Sequence, residues 1–319
     1  MTKIVVLDGQ TLNPGDNPWT GLLDLGEVDV YERTSADQIV ARAASAEVLV
    51  INKVKLTADA IAQLPRLGLV AVTATGWDCV DGEAARRQRI VVSNVPVYGT
   101  DSVAQFVFAL LLELSHHVAL HDGAVKAGEW SSCGDFAFWK TPLVELAGKT
   151  MGIVGFGRIG RRVGELAHAL GLSVMAHAAR QTEDPAYARF AWAGLVELCE
   201  QADVISLHCP LTPQTAGMIN RDLLGHMKPS AMLINTARGG LVVEVDLAEA
   251  LNTGKLAAAA VDVVSAEPIR PDNPLLTAKN CLITPHIAWA TLAARRRLMA
   301  ATVANVAAFL AGQPINVVN

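Results

Sequence analysis

Short runs of β-branched and aliphatic residues alternate with helix-forming stretches along almost the whole chain, and this alternation restricts its possible folds more than any other feature. Five such runs lie at 3–7, 28–31, 48–51, 69–74 and 90–95, with helical composition at 36–43 and 58–64 between them. Parallel neighbours need crossover connections, so the pattern predicts a helix-covered parallel sheet rather than a sandwich. A second, more hydrophobic series follows at 150–154, 173–177, 204–208, 231–235, 258–263 and 281–284. These six runs match the strand number of a dinucleotide-binding sheet. The expectation is an α/β fold with two doubly wound parallel-sheet domains.

Between the two series, a long apolar helix is expected over 103–120, and an aperiodic loop rich in Gly, Ser and aromatics over 121–142. Residues 290–310 carry Leu292, Leu298, Val303, Val306 and Leu310 at near-helical spacing and read as one closing helix. At 319 residues the chain has room for two cores. Its formal net charge of −5 carries no electrostatic footprint for nucleic acid or an anionic membrane. The basic runs Arg86-Arg87, Arg161-Arg162 and Arg295-Arg296-Arg297 read as solvated helix faces. Gln105, Glu113, His116 and His117 interrupt the longest apolar stretch, and the N-terminal run is too short for a secretory signal, which makes the cytoplasm the expected location. Five cysteines without a C-x-x-C pair indicate neither a disulfide framework nor a zinc site, and read as small buried residues.

Gly155-Phe156-Gly157-Arg158-Ile159-Gly160 is a G-x-G-x-x-G turn, weak alone but here entered by a strand. The helix beyond it has Ile159, Val163, Leu166 and Leu170 on one face, with Gly171 placed to stop it. Gly155 permits the tight turn, Gly157 lets backbone approach a pyrophosphate, and Gly160 allows helix–strand packing. The acidic residue expected about 20 residues later to hold a ribose is missing. His177-Ala178-Ala179-Arg180 stands there instead. A guanidinium and an imidazole suit a 2′-phosphate, with a small alanine leaving room, so NADP(H) is expected over NAD(H). The alternative is a solvated Arg180 and an enzyme that accepts both cofactors.

Arg238, Glu267 and His286 each follow a predicted strand of the second series, at the sheet edge where ligands bind in open α/β folds. Arg238 can clamp a carboxylate and polarise a 2-oxo group. His286 can protonate the oxygen as hydride arrives at carbon, and Glu267 can fix its tautomer through the other ring nitrogen. Each also has a plain structural reading: Arg238 a phosphate ligand, Glu267 a turn residue before Pro268, His286 a cap after Pro285.

These motifs, with Asn235-Thr236-Ala237-Arg238-Gly239-Gly240, Asp262-Val263-Val264-Ser265-Ala266-Glu267-Pro268 and Pro285-His286-Ile287-Ala288-Trp289, resemble the D-isomer-specific 2-hydroxyacid dehydrogenases. Ala74-Thr75-Gly76-Trp77-Asp78, the stretch from Tyr98 to Gln105, Phe138-Trp139-Lys140-Thr141-Pro142 and His208-Cys209-Pro210-Leu211-Thr212 resemble their glycerate dehydrogenase/hydroxypyruvate reductase branch. The resemblance covers the chain in order. It implies a Rossmann-like cofactor domain at 100–286, inserted into a flavodoxin-like substrate domain at 1–99 and 287–319. It also implies a homodimer formed largely through the helix and loop at about 101–142. Arg238, Glu267 and His286 become the catalytic set, and Thr75 and Gly76 backbone donors to a substrate carboxylate. The cofactor contacts it implies are Val103, Gly155, Gly157, Arg158, Ile159, Gly160, His177, Ala179, Arg180, His208, Cys209, Pro210, Thr215, Thr236, Ala237, Asp262, His286 and Ala288, with Asp262 at the carboxamide. For Trp139 two readings stand: a substrate-selecting residue reaching a neighbour's site, or an aromatic plug in the interface.

Two departures bear on specificity. Ala178 replaces the Asp usual in NAD-preferring relatives, and Trp77, Asp78 and Cys79 differ from the common Tyr-Asn pattern. The expected activity is reduction of small 2-oxo acids, hydroxypyruvate or glyoxylate, with NADP(H). The alternatives are an NAD(H)-dependent relative with another substrate and a nucleotide-sensing corepressor-like protein, which would need a peptide cleft or a disordered tail. A phosphoglycerate enzyme would place extra basic residues near its substrate, and Lys53 and Lys55 are the only loose candidates; Glu267 stands where formate dehydrogenases carry Gln. No G-x-S-x-G or Walker sequence supports a hydrolase or a triphosphatase. His117 and His121 are spaced i, i+4 on the expected long helix but lack the Glu of H-E-x-x-H, so no metal is expected; His168 and His226 have no partner pattern.

Overall fold

The computed structural model describes residues 1–319, which fall into two compact units, Met1–Gly99 with Trp289–Asn319 and Thr100–Ala288. The change of unit falls at 288/289, two residues after the 286/287 read from the sequence.

In the first unit the strands are β1 (Lys3–Val6), β2 (Glu27–Val30), β3 (Val48–Ile51), β4 (Leu69–Val72) and β5 (Val91–Ser93). Around them lie α1 (Thr20–Leu23), α2 (Ile39–Ala43), α3 (Ala58–Ala62) and α4 (Gly82–Arg87). The sheet is parallel throughout in the order β2-β1-β3-β4-β5, the flavodoxin-like arrangement. The central strands β3 and β4 are apolar and buried at every position because both faces are covered. Val5 and Leu7 pack into one cluster with Leu49, Ile51 and Val70, while Ile4 and Val6 pack into another with Val48, Val50 and Val306.

The second unit holds α5 (Thr100–His116), α6 (Val118–Lys126), β6 (Thr150–Val154), α7 (Arg158–Ala169), β7 (Ser173–His177), β8 (Phe190–Trp192), α8 (Leu195–Gln201) and β9 (Val204–Leu207). It continues with α9 (Arg221–Gly225), β10 (Met232–Asn235), α10 (Glu244–Asn252), β11 (Ala258–Val261) and β12 (Cys281–Ile283). The chain closes in the first unit with α11 (Leu292–Leu310). The second unit's seven strands run parallel in the order β12-β11-β10-β9-β6-β7-β8. The strand order reverses between β6 and β9, which makes the carboxyl edge there a topological switch point.

Four sequence expectations are corrected. The long helix breaks at His117, which takes a left-handed φ of 46°, and α6 then carries the chain on to Lys126 inside the expected loop. No single helix is long and apolar enough to cross a membrane; α5 and α6 pass such a test only as a pair bent by 54°. A seventh strand, β8, forms at the sheet edge from three residues. Arg295 is no solvated arginine: it is 8% exposed and pairs through Nη1 and Nη2 with Asp16, whose carboxyl is held below the usual range by that contact. Of the cysteines only Cys199 is fully buried; all five are free thiols.

Candidate active site

Because every strand of the second sheet runs the same way, all six functional turns leave one edge. Reading across it from β12 to β7, they carry His286, Asp262 with Glu267, Thr236 with Arg238, His208–Pro210, the glycine turn, and His177–Arg180. The sheet thus brings together the second unit's predicted residues in strand order, and Thr75 and Gly76 follow β4 of the first unit.

His286 is the most strongly constrained of them. Its backbone takes a left-handed φ of 55°, which a side chain tolerates only when surroundings impose it. Asp262, 1% exposed, imposes it. The His286 N–H donates to the Asp262 carbonyl at 2.8 Å. The Asp262 carboxylate accepts from the Ile287 N–H (2.9 Å), the Ala288 N–H (2.8 Å) and the Thr284 hydroxyl (2.7 Å). Burial pushes the Asp262 carboxyl up, against the pull of those donors and of His286. The ring that this turn presents has Nδ1 at 2.7 Å from Oε2 of Glu267, whose other oxygen accepts from the Val264 N–H at 3.3 Å. His286 is 26% exposed and Glu267 37% in their side chains, so the pair is reachable from solvent.

Arg238 is set by Asn235, a fully buried residue ending β10. Asn235 Nδ2 donates to the Arg238 carbonyl (2.9 Å) and Oδ1 accepts from the Ala237 N–H (3.0 Å), fixing the tight turn. The guanidinium is half-buried, with Nη1 on the Ala237 carbonyl at 2.8 Å.

A nicotinamide dinucleotide is the group implied by the glycine turn, and the residues fit one. Gly155 has φ 97°, and a Cβ there would meet the His208 carbonyl carbon and the Cys209 nitrogen at 2.5 Å. A Cβ at Gly160 would lie 2.1 Å from the Gly155 carbonyl oxygen. Beyond Gly157 nothing lies within 4 Å, and this open space faces the first turn of the twelve-residue α7, whose leading N–H groups have no intrahelical partner. That is a cradle for phosphate. Further along the edge, Thr236 Oγ1 is buried and has no hydrogen-bond partner, an orphan that a bound ligand could satisfy. His208 accepts or donates at Nε2 with Ser206 Oγ (2.8 Å), and burial pushes its imidazole down to about 3, leaving it neutral.

Other residues expected in this set have partners within the protein or are placed as follows. The Thr215 hydroxyl donates to the Pro210 carbonyl (2.7 Å), closing its own loop, and His177 Nδ1 lies 3.1 Å from the Ala193 carbonyl. Arg158, Ala179 and Arg180 are exposed; Ile159 is partly buried, and Val103 and Ala288 are buried. Trp139 is 69% exposed on the segment after α6. His117 and His121 form no metal face, since His117 sits at the helix break and the His121 ring turns back to the His117 carbonyl at 2.8 Å. His168 stacks on Tyr187, and His226 lies 3.2 Å from Glu200. Two roles were missed in the sequence. Asn235 was visible as a polar residue ending an apolar strand, whereas Arg161, which reaches Thr182 and covers the Phe156 ring, gave no signal.

Residues 108–288 match the model of the D-isomer specific 2-hydroxyacid dehydrogenase, NAD binding domain. The chain is 49% identical over 320 residues to the hydroxypyruvate reductase of Blautia hydrogenotrophica, covering 99% of each. It is 40% identical over 322 residues to the glycerate dehydrogenase of Methylorubrum extorquens, covering 99% of this chain and 98% of that one. Among solved structures, it superposes with a TM-score of 0.83 and 29% identity on the NADPH-dependent glyoxylate/hydroxypyruvate reductase of Sinorhizobium meliloti in complex with NADP and malonate, covering 99% and 96%. The chain therefore belongs to the D-isomer-specific 2-hydroxyacid dehydrogenases, in the branch of the glycerate dehydrogenases and hydroxypyruvate reductases.

Proposed function

We propose that this oxidoreductase is an NADP(H)-preferring reductase of small 2-oxo acids, turning hydroxypyruvate into D-glycerate and glyoxylate into glycolate. The observation that carries the reading is the 2.7 Å contact between His286 Nδ1 and Glu267 Oε2 at the carboxyl edge of the cofactor sheet. A bound nicotinamide supplies the hydride. Arg238 holds the substrate carboxylate and polarises the 2-oxo oxygen, because a guanidinium offers several fixed donors to both. Glu267 accepts from Nδ1 and so keeps the proton donor at Nε2, from which His286 protonates the forming alkoxide.

Cofactor choice rests on the chain after β7. No carboxylate occupies 177–180, Arg180 is exposed, and the relative from Sinorhizobium meliloti carries NADP. R180D is expected to shift selectivity from NADPH toward NADH, read as the ratio of kcat/KM values; an unchanged ratio contradicts the phosphate reading. The homodimer is proposed to bury the exposed apolar residues Val118, Leu120, Val125, Trp130, Phe136 and Leu143. Trp139 on the same segment is proposed to select small substrates, and W139A with an unaltered ranking of oxo acids would refute that role.

A further inference from the structure

One carboxylate fastens the Glu267 loop to the start of α10. Glu244 accepts at Oε1 from the Ser265 N–H (2.7 Å), and at Oε2 from the Ser265 hydroxyl (2.7 Å) and Asn273 Nδ2 (3.0 Å). Asn273 is 7% exposed, and its Oδ1 is already used by the Leu275 N–H (3.0 Å), so its amide presents only donors to Glu244. Ser265 and Asn273 bracket Glu267 in the chain. On its other side this loop rests on the Arg238 turn: a Cβ at Gly239 would come within 1.9 Å of the Val264 carbonyl carbon and 2.4 Å of the Ser265 nitrogen. The Val264 N–H in turn holds Glu267 Oε1, and Glu267 Oε2 holds His286. Three donors converge on Glu244, and only a carboxylate accepts all three. Its place in the first turn of a helix suits a negative charge.

We propose that Glu244 is a positioning residue for proton transfer: by pinning Ser265 and Asn273 it fixes the loop from which Glu267 orients the His286 ring. This rests on the reading of His286 as the proton donor. Acting through Glu267, it should weigh on the chemical step and leave cofactor affinity alone.

The test is steady-state kinetics with hydroxypyruvate and NADPH for wild type, H286A, E244A, E244Q, S265A, N273D and E244Q/N273D, with thermal midpoints in parallel. E244Q sets an amide donor against Asn273 Nδ2, and N273D sets two carboxylates face to face. The double variant restores one acceptor to one donor and returns the charge. E244A and E244Q are expected to lower kcat by up to about 100-fold, the scale of a small misplacement of a reacting group. KM for NADPH and the midpoint should hold, S265A should lose less, and E244Q/N273D should recover most of kcat. Should E244A not fold, E244Q and the double variant decide the matter. Unchanged kcat in E244Q, or a loss that follows the midpoint and that N273D does not repair, would overturn the proposal. If wild type showed no turnover sensitive to H286A, the reading of the site itself would fall first, and the two failures are thereby told apart.

Discussion

The proposed proton donor is a histidine whose backbone is held in an uncommon conformation beside a buried aspartate. H286A is expected to lower kcat by about 10²–10⁴-fold with cofactor binding retained, the usual worth of a placed general acid. E267Q keeps an oxygen for Nδ1 but removes the charge facing the imidazolium, and its loss of kcat should be the smaller of the two. His208 makes a separate prediction, about stability. Its folded imidazole stays neutral until about 3, whereas the unfolded chain takes up that proton near 6.5. Its contribution is therefore fully present above 6.5 and drains away as the pH falls toward 3. H208Q should flatten the acid side of a plot of melting midpoint against pH; an identical slope contradicts the burial argument. At this scale the sequence placed Arg238, Glu267 and His286 after strands that the structure aligns along one sheet edge. It did not reveal how the supports act, because Asn235 binds backbone groups of its own turn, Asp262 binds those of the His286 turn and Glu244 binds Ser265 and Asn273 across 21 and 29 residues, which no spacing rule reveals.

Among the elements, the strand–turn–helix at β6 and α7 was legible because Gly155 and Gly160 each answer to a close backbone contact and Gly157 leaves open space. G160A would drive a methyl into the Gly155 carbonyl at 2.1 Å, and it should cost about 1–3 kcal/mol of stability together with cofactor affinity. A variant of wild-type stability that still binds cofactor would show that close packing is not what Gly160 supplies. The parallel strands were legible too, since burial on both faces makes the central ones, such as β3, β4 and β11, apolar at every position. Where the reading slipped, the reason is physical. The break at His117 has no proline or glycine to announce it, and α6 carries its apolar residues outward, with Val118, Leu120 and Val125 exposed. Three residues of β8, at the edge beside β7, are too few to establish a period.

For the molecule as a whole, two sheets with separate cores follow from two series of strands, and each core responds to its own substitutions. Leu111, fully buried in α5 and in one hydrophobic cluster with Met151 and Ile234, illustrates the second; L111A should cost about 2–5 kcal/mol, measured by denaturant unfolding. What the sequence did not carry is the full count of strands and the hydrogen bonds that hold the turns at the sheet edge. The central claim is that this edge reduces a small 2-oxo acid through His286 and favours the phosphorylated cofactor. Initial rates of nicotinamide oxidation with hydroxypyruvate, glyoxylate and pyruvate, each against NADPH and NADH, for wild type and H286A, test it most directly. The account predicts rapid turnover with NADPH and hydroxypyruvate or glyoxylate that H286A abolishes; turnover with NADH alone would contradict the cofactor assignment, and no turnover with any pair would contradict the reaction.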